Sequence, residues 1–418
     1  MKKLDAYTTY LLVEGASALL MSMIFTASSV YQVTVVRLSA LQLVLVGTTL
    51  EATAFLFEVP TGVVADVYSR RLSIIIGMFL IGLGFIVEGS FPLFWTVLLA
   101  QVLWGVGYTF TSGATQAWIT DEIGEAAAGR AFLRSNQVGN FAALFGIGAG
   151  MALGSLRVAL PIQLGGAGMV LLGGFLILRM PEIGFKSVPK GERSSWQQMA
   201  HTFSGGLAQV RQRPGLLMIL SIGLLYGLYS EGLDRLWTKH LLDQFSFPMA
   251  DRLQPVFWIG AIRAAGMLLA IGAAEIVQRK VNTENQLAVA RALTLITLCL
   301  LAGLFSFALA GSLLVAVLAF LLIDVTRDVI SPLYTGWVNQ RLDSRVRATV
   351  LSMSSQVDAI GQIAGGPLVG VIGNVFSVRA ALLASSFILS PVIALYRAAI
   401  HQSTSEGPPD DLIVDQER

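Results

Sequence analysis

The residues of this chain able to do chemistry are ionisable side chains set inside apolar runs. Glu14, Glu51, Glu58, Glu231, Asp234, Arg235, Arg263, Asp324, Arg327 and Asp358 all interrupt stretches of aliphatic and aromatic residues. Such groups are costly in an apolar setting, so they mark substrate or ion pathways or pair with one another. With a helical rise of about 1.5 Å per residue, Glu51, Asp324 and Asp358 fall near the middle of their runs. Glu14 and Glu58 lie toward the end facing the cytoplasm, and Glu231, Asp234, Arg235 and Arg263 lie in the outer half. A carboxyl shielded from water can load a proton on one side of a membrane and release it on the other when its surroundings change. Glu51, Asp324 and Asp358, with Arg327 and Glu14, are the candidate proton-coupling groups.

Spacing sorts these groups further. Glu231 and Arg235 stand four apart and can pair along one helix face. Asp324 has Arg327 at i+3 and Asp328 at i+4. Arg263 needs an acid from another helix, and Glu231 or Asp234 is the natural one. A buried ion-pair network joining helices explains the same residues, so the sequence leaves both readings open. Trp104, Tyr108, Tyr226 and Tyr229 could line a cavity for an amphipathic molecule, Tyr226 and Tyr229 sharing a face at i,i+3; aromatics of this kind also serve as core and interface packing.

The elements that position these groups follow from composition. Of 418 residues, 55% are hydrophobic and 13% charged, and mean hydropathy is +0.70, against about 25% charged in a soluble domain. That content excludes disorder. A balance of 28 Lys+Arg against 26 Asp+Glu excludes a single-sign field for nucleic acid. One cysteine, Cys299, excludes a disulfide framework or a thiolate metal cluster. The expected class is all-α: a polytopic membrane protein with twelve transmembrane helices, near 7–35, 42–65, 72–89, 92–119, 131–154, 157–179, 215–238, 254–277, 286–308, 311–337, 348–373 and 376–398. Segment length and the lack of strict alternation exclude a β-barrel.

Basic residues near the span ends give the orientation. With the N-terminus inside, eighteen Lys or Arg fall on the cytoplasmic side and only Arg37, Arg157, Lys239, Arg252 and Arg379 outside, which places both termini in the cytoplasm. The expected organisation is a bundle over 1–179, a cytoplasmic linker over 180–214 with an amphipathic helix from Ser194 to Gln212, a second bundle over 215–398 and a disordered tail over 399–418. A weak repeat relates the halves: Gln137-Val138 precedes Gly146 as Gln356-Val357 precedes Gly365, at an offset of 219.

The loop after the second span reads Glu58-Val-Pro60-Thr-Gly62-Val-Val-Ala-Asp66-Val-Tyr-Ser69-Arg70-Arg71. Here the chain resembles the major facilitator superfamily of secondary transporters, whose signature G-x-x-x-D-x-x-G-R-[RK] is met by Gly62, Asp66, Arg70 and Arg71, with Ser69 in place of the second Gly. The resemblance implies two pseudo-symmetric six-helix bundles and a cytoplasmic gate in which Gly62 permits close helix approach and Arg70 and Arg71 reach a carboxylate such as Asp121. Gly146-x-x-x-Gly150-Met151-x-x-Gly154 is similar to the family's antiporter motif with Met151 in place of Pro; Gly361, Gly365, Gly366 and Pro367 echo it in span eleven. Gln101-x-x-x-Gly105 stands where proton-coupled members carry Arg-x-x-x-Gly. The runs Ser112–Asp121, Ser230–Trp237 and Asn339–Asp343 resemble the drug-efflux branch with tetracycline- and macrolide-efflux-like members.

The expected function is therefore export of amphipathic drug-like compounds by proton antiport and alternating access, in the inner cell membrane and as a monomer. The alternative is a symporter or facilitator for a nutrient, metabolite or lipid. No cofactor is expected. His201, His240 and His401 have no metal-ligand spacing, and no G-x-x-x-x-G-K-[ST] loop for a primary pump is present.

Overall fold

The computed structural model describes residues 3–187, 214–341 and 344–405. Among them the regular elements are helices. They are α1 (Ala6–Thr34), α2 (Ala40–Val67), α3 (Arg70–Ser90), α4 (Phe94–Thr111), α5 (Ala114–Ile123), α6 (Glu125–Leu156), α7 (Leu160–Arg179), α8 (Pro214–Gln244), α9 (Pro255–Lys280), α10 (Gln286–Leu309), α11 (Leu313–Arg341), α12 (Ser344–Val375), α13 (Val378–Leu389) and α14 (Val392–Ser405). The expected all-helical, membrane-embedded class is what the chain adopts. In hydrocarbon each helix satisfies its own backbone groups, so long apolar runs have few other options.

Polar residues at the run ends fix where helices start. Asp5 caps α1, accepting from the Thr8 N–H at 2.9 Å, and its hydrogen bonds with Thr8 hold its carboxyl below the usual carboxylate range. Ser39 opens α2 with a capping box that includes Gln42. Asn285 caps α10 through the N–H groups of Leu287 and Ala288.

Two expected spans are interrupted. The run expected over 92–119 breaks into α4 and α5 at Ser112-Gly113, where Gly113 takes φ +71°. The run over 376–398 breaks at Ser390-Pro391, since Pro391 has no N–H to continue the ladder. The last helix continues to Ser405, past the boundary expected at 398, because Ala399 is still a buried apolar position. The amphipathic helix expected over Ser194–Gln212 and the tail beyond 405 lie outside the described residues. Among the described residues ten stretches, counting α4 with α5 and α13 with α14 once each, are long and apolar enough to cross a membrane. Similarly long, α11 and α12 fall short because Asp324, Arg327 and Asp328 interrupt one, and Gln356, Asp358 and Gln362 the other.

The chain divides into two compact units that cut across chain order. The first holds Met1–Thr202, Glu231–Ala264 and Gln362–Ala381; the second holds Phe203–Ser230, Ala265–Gly361 and Leu382–Arg418. In the first, α6 packs on α1 through its glycine face: a Cβ at Gly150 would sit 2.8 Å from the Met23 carbonyl oxygen. In the second, α12 meets α8 in the same manner, a Cβ at Gly361 lying 2.7 Å from the Leu224 carbonyl. Glycines on α6 and α12 thus let a facing helix approach closely.

Candidate functional site

Helical spacing builds a cavity in the first unit. Phe25, Ser28, Ser29 and Gln32 share one face of α1; Phe85 comes from α3, and Gln101 and Trp104, at i,i+3, from α4. Asp234, Arg235 and Trp237 of α8 and Arg263 of α9 complete the wall of a cavity of about 180 Å³. One side is aromatic: the Trp104 ring lies 5.1 Å from Phe25 and 5.4 Å from Phe85, in tilted geometry. The other side is polar.

That polar side has a carboxylate behind it. Glu88, one turn after Phe85 on α3, has no exposed surface. Its Oε1 accepts from Ser28 Oγ at 2.7 Å and Gln32 Nε2 at 2.8 Å, and its Oε2 from Gln101 Nε2 at 3.4 Å. Opposite, Glu231 is buried and pairs with Arg235 at 2.8 Å, the i,i+4 bridge that the spacing suggests. Gly366 of α12 leaves room for this pair, since a Cβ there would sit 3.1 Å from Glu231 Cγ, and Gly47 of α2 does the same against both side chains. Asp234 and Glu51 also act on Arg235 through space. Of the expected residues, Asp234, Arg235, Arg263 and Trp104 line the cavity; Glu231 joins them only through its pair with Arg235, and Glu51 only through its charge on Arg235. Tyr108 is 51% exposed and does not join them; Glu14 is half-buried on α1.

The second unit holds another group. Tyr226 stacks edge-on to Tyr229 at 5.8 Å, lies 6.4 Å from Tyr334, and shares a 3.3 Å hydrogen bond with Thr297. The Arg327 guanidinium sits 5.9 Å over the Tyr229 ring, a cation–π contact. Tyr334 donates to the Ile219 carbonyl at 2.9 Å and is within electrostatic range of Asp358. Asp358 lies on the crossing where Gly227 of α8 meets α12, and Asp324 packs against Gly266 of α9.

At the loop between α2 and α3, Arg70 pairs with Asp121 of α5 at 3.1 Å, and Asp66 in the last turn of α2 acts on Asp121 through space. Two expectations need correction. Arg71 does not turn its guanidinium to a carboxylate: it donates to the Ile177 carbonyl at 2.5 Å, while its backbone N–H donates to Glu182 at 2.9 Å. Gly62 is not a close-approach point, because among the described residues nothing lies within 4 Å of a Cβ built there. The departure at Ser69 is explained by its contacts. It caps α3 by accepting from the Leu72 N–H at 2.9 Å and donates to Glu182 at 2.6 Å, neither of which a glycine can do. Glu122 accepts from the N–H groups of Ile183 and Gly184, and Trp118 donates to the Pro181 carbonyl at 2.9 Å, so the chain after α7 is tied to α5.

Glu88, Ser28 and Gln32 escaped the sequence reading. Glu88 stands one residue before the end of the run expected over 72–89, where an acid reads as a residue of the span's edge. The available signal was the three-residue spacing of Phe85 and Glu88 on the face shared by Ser28 and Gln32 of α1. Among the described residues no His/Cys/Asp/Glu group is arranged to hold a metal ion.

Comparison with known proteins gives a consistent result. The family model described as Major Facilitator Superfamily matches residues 10–366. An uncharacterized MFS-type transporter, YxaM of Bacillus subtilis (strain 168), is 26% identical over 366 residues, 84% of this chain and 86% of that protein. Among solved structures, the nucleoside transporter NupG superposes with a TM-score of 0.73 at 14% identity, covering 96% of this chain and 100% of that one. A POT family transporter in complex with 5-aminolevulinic acid gives 0.72 at 14% identity, with 96% of each chain covered. A bacterial homolog of the human lysosomal transporter Spinster gives 0.72 at 14%, over 95% of this chain and 98% of that one. At these identities the superpositions speak for the fold.

Proposed function

The chain belongs to the major facilitator superfamily and is a multi-pass membrane transporter of small molecules, not an enzyme; from that premise we propose that it exports amphipathic compounds from the cytoplasm in exchange for protons. The observation that carries the reading is the cavity of the first unit, where an aromatic wall of Phe25, Phe85 and Trp104 faces amides, an ion pair and a buried carboxylate. Aromatic faces take the apolar part of an amphiphile, and the amides and charges orient its polar end. Carboxylates in both units supply groups that load and release protons: Glu51, which acts on Arg235, in the first, and Asp324 against Gly266 and Asp358 within range of Tyr334 in the second. Alternating access then exposes the same groups to either side of the membrane. The Arg70–Asp121 pair and Glu182 hold the cytoplasmic ends of α3, α5 and α7 as one piece that moves during the cycle. In this reading the protein works as a monomer in the inner cell membrane with both termini in the cytoplasm.

A second reading, symport of a polar metabolite, is favoured by one feature: the cavity carries both signs of charge beside two amides, which suits a zwitterion as well as an amphiphilic cation. Reconstituted vesicles with an imposed pH gradient separate the two. Under antiport, labelled amphiphiles such as ethidium accumulate on the acidic side; under symport, amino acids or short peptides accumulate on the alkaline side. Accumulation of either class that ignores the gradient removes both.

A further inference from the structure

Glu88 has no exposed surface, and its direct partners are all neutral: Ser28, Gln32 and Gln101. The charged or titratable groups facing it are Tyr31 on α1 and Arg235 on α8. α4 offers it the Gln101 amide, while α7 brings Gln163 to the neighbouring Gly89 carbonyl at 2.9 Å. Arg235 is held at 2.8 Å by Glu231, which offsets its charge before it reaches Glu88. Neutral donors alone compensate an ionised carboxylate poorly in a water-poor interior, whereas a protonated one needs a single good acceptor.

Gln101 can supply that acceptor. It is 2% exposed, and its Oε1 is buried with no hydrogen-bond partner, while its Nε2 reaches Glu88 only at 3.4 Å. Turning the terminal amide over puts Oε1 opposite Glu88 Oε2, where a carboxyl O–H can donate to it. One orientation serves the ionised acid, the other the protonated acid. Ser28, Gln32 and Gln101 also line the cavity, so the amide turn exchanges which polar end is left for a cavity occupant. An occupant that recruits the Gln32 or Gln101 N–H groups withdraws donors from Glu88. Occupancy and protonation are then linked, and the linkage is reciprocal.

We infer that Glu88 is a proton-binding site, loaded from and emptied into water admitted to the cavity, whose occupancy is coupled to that of the cavity through the Gln32 and Gln101 amides. The coupling rests on the proton-driven reading above. The test is infrared spectroscopy of the full chain in lipid, titrated with pH. The expected result is a protonated-carboxyl C=O band that titrates in the wild type, disappears in Glu88→Gln and changes its midpoint in Gln101→Met. The same titrating bands in wild type and Glu88→Gln, or an unmoved midpoint in Gln101→Met, overturn the assignment; if Glu88→Gln does not fold, Gln101→Met decides alone. Ethidium flux under a pH gradient separates the two claims. A wild-type flux that ignores the gradient removes the antiport reading and the coupling with it. A gradient response retained in full by folded Glu88→Gln leaves antiport standing and overturns the role of Glu88.

Discussion

Neutralising one member of the Glu231–Arg235 pair destabilises the protein more than neutralising both. The pair is joined at 2.8 Å, with side-chain exposures of 3% for Glu231 and 21% for Arg235. Removing one partner of a buried pair costs about 3–5 kcal/mol, because the other charge is left uncompensated. In Glu231→Gln, Arg235 keeps Asp234 and Glu51 within electrostatic range, so the loss sits near the low end, about 3 kcal/mol. In Arg235→Met the more deeply buried Glu231 loses its direct cation, and the loss approaches about 5 kcal/mol. The double variant Glu231→Gln with Arg235→Met leaves neither member of the pair charged and is expected within about 1 kcal/mol of wild type. The assay is unfolding in detergent followed by tryptophan fluorescence, with the four proteins compared as a double-mutant cycle. Single variants that lose under about 1 kcal/mol, the range of an exposed surface pair, or a double variant as unstable as the sum of the singles, refute the reasoning.

Other outcomes follow from the same contacts. Ser69→Gly, which restores the residue usual in the family motif, loses the hydrogen bond to Glu182 and weakens the α3 cap; it lowers stability by about 1–2 kcal/mol in the same unfolding assay. Gly62→Ala, with open space around its Cβ, leaves stability unchanged or raises it by about 0.5–1 kcal/mol through helix propensity, whereas Gly150→Leu forces α6 off the Met23 carbonyl and costs about 1–3 kcal/mol or more. Asp121→Asn changes stability by under about 1 kcal/mol, because the Arg70 pair is partly exposed, but slows flux in reconstituted vesicles if the loop moves as a unit.

The fold was legible because hydrophobic run length carries it, and the family signature agrees with the family the chain belongs to. The helix breaks were less so: Ser112-Gly113 and Ser390-Pro391 are turn residues inside otherwise apolar runs, and membrane helices often absorb both glycine and proline. The Glu231–Arg235 bridge was readable because both partners lie on one helix. Glu88 was not, because its three partners come from α1 and α4, and only tertiary packing brings them together. Gly62 shows the converse limit: a motif glycine predicts a close approach that the described neighbours do not make. Ser69 looked like a lapse from the motif and proved to be a cap and a hydrogen-bond donor to Glu182.

The proton drive itself is tested most directly with inside-out membrane vesicles holding a pH-sensitive dye and an acidic lumen. Ethidium added outside meets the cytoplasmic face. Export by proton antiport predicts that the lumen turns more alkaline as ethidium enters, and that protein-free vesicles show no such change. Uptake without a change in luminal pH, or with acidification of the lumen, contradicts the account.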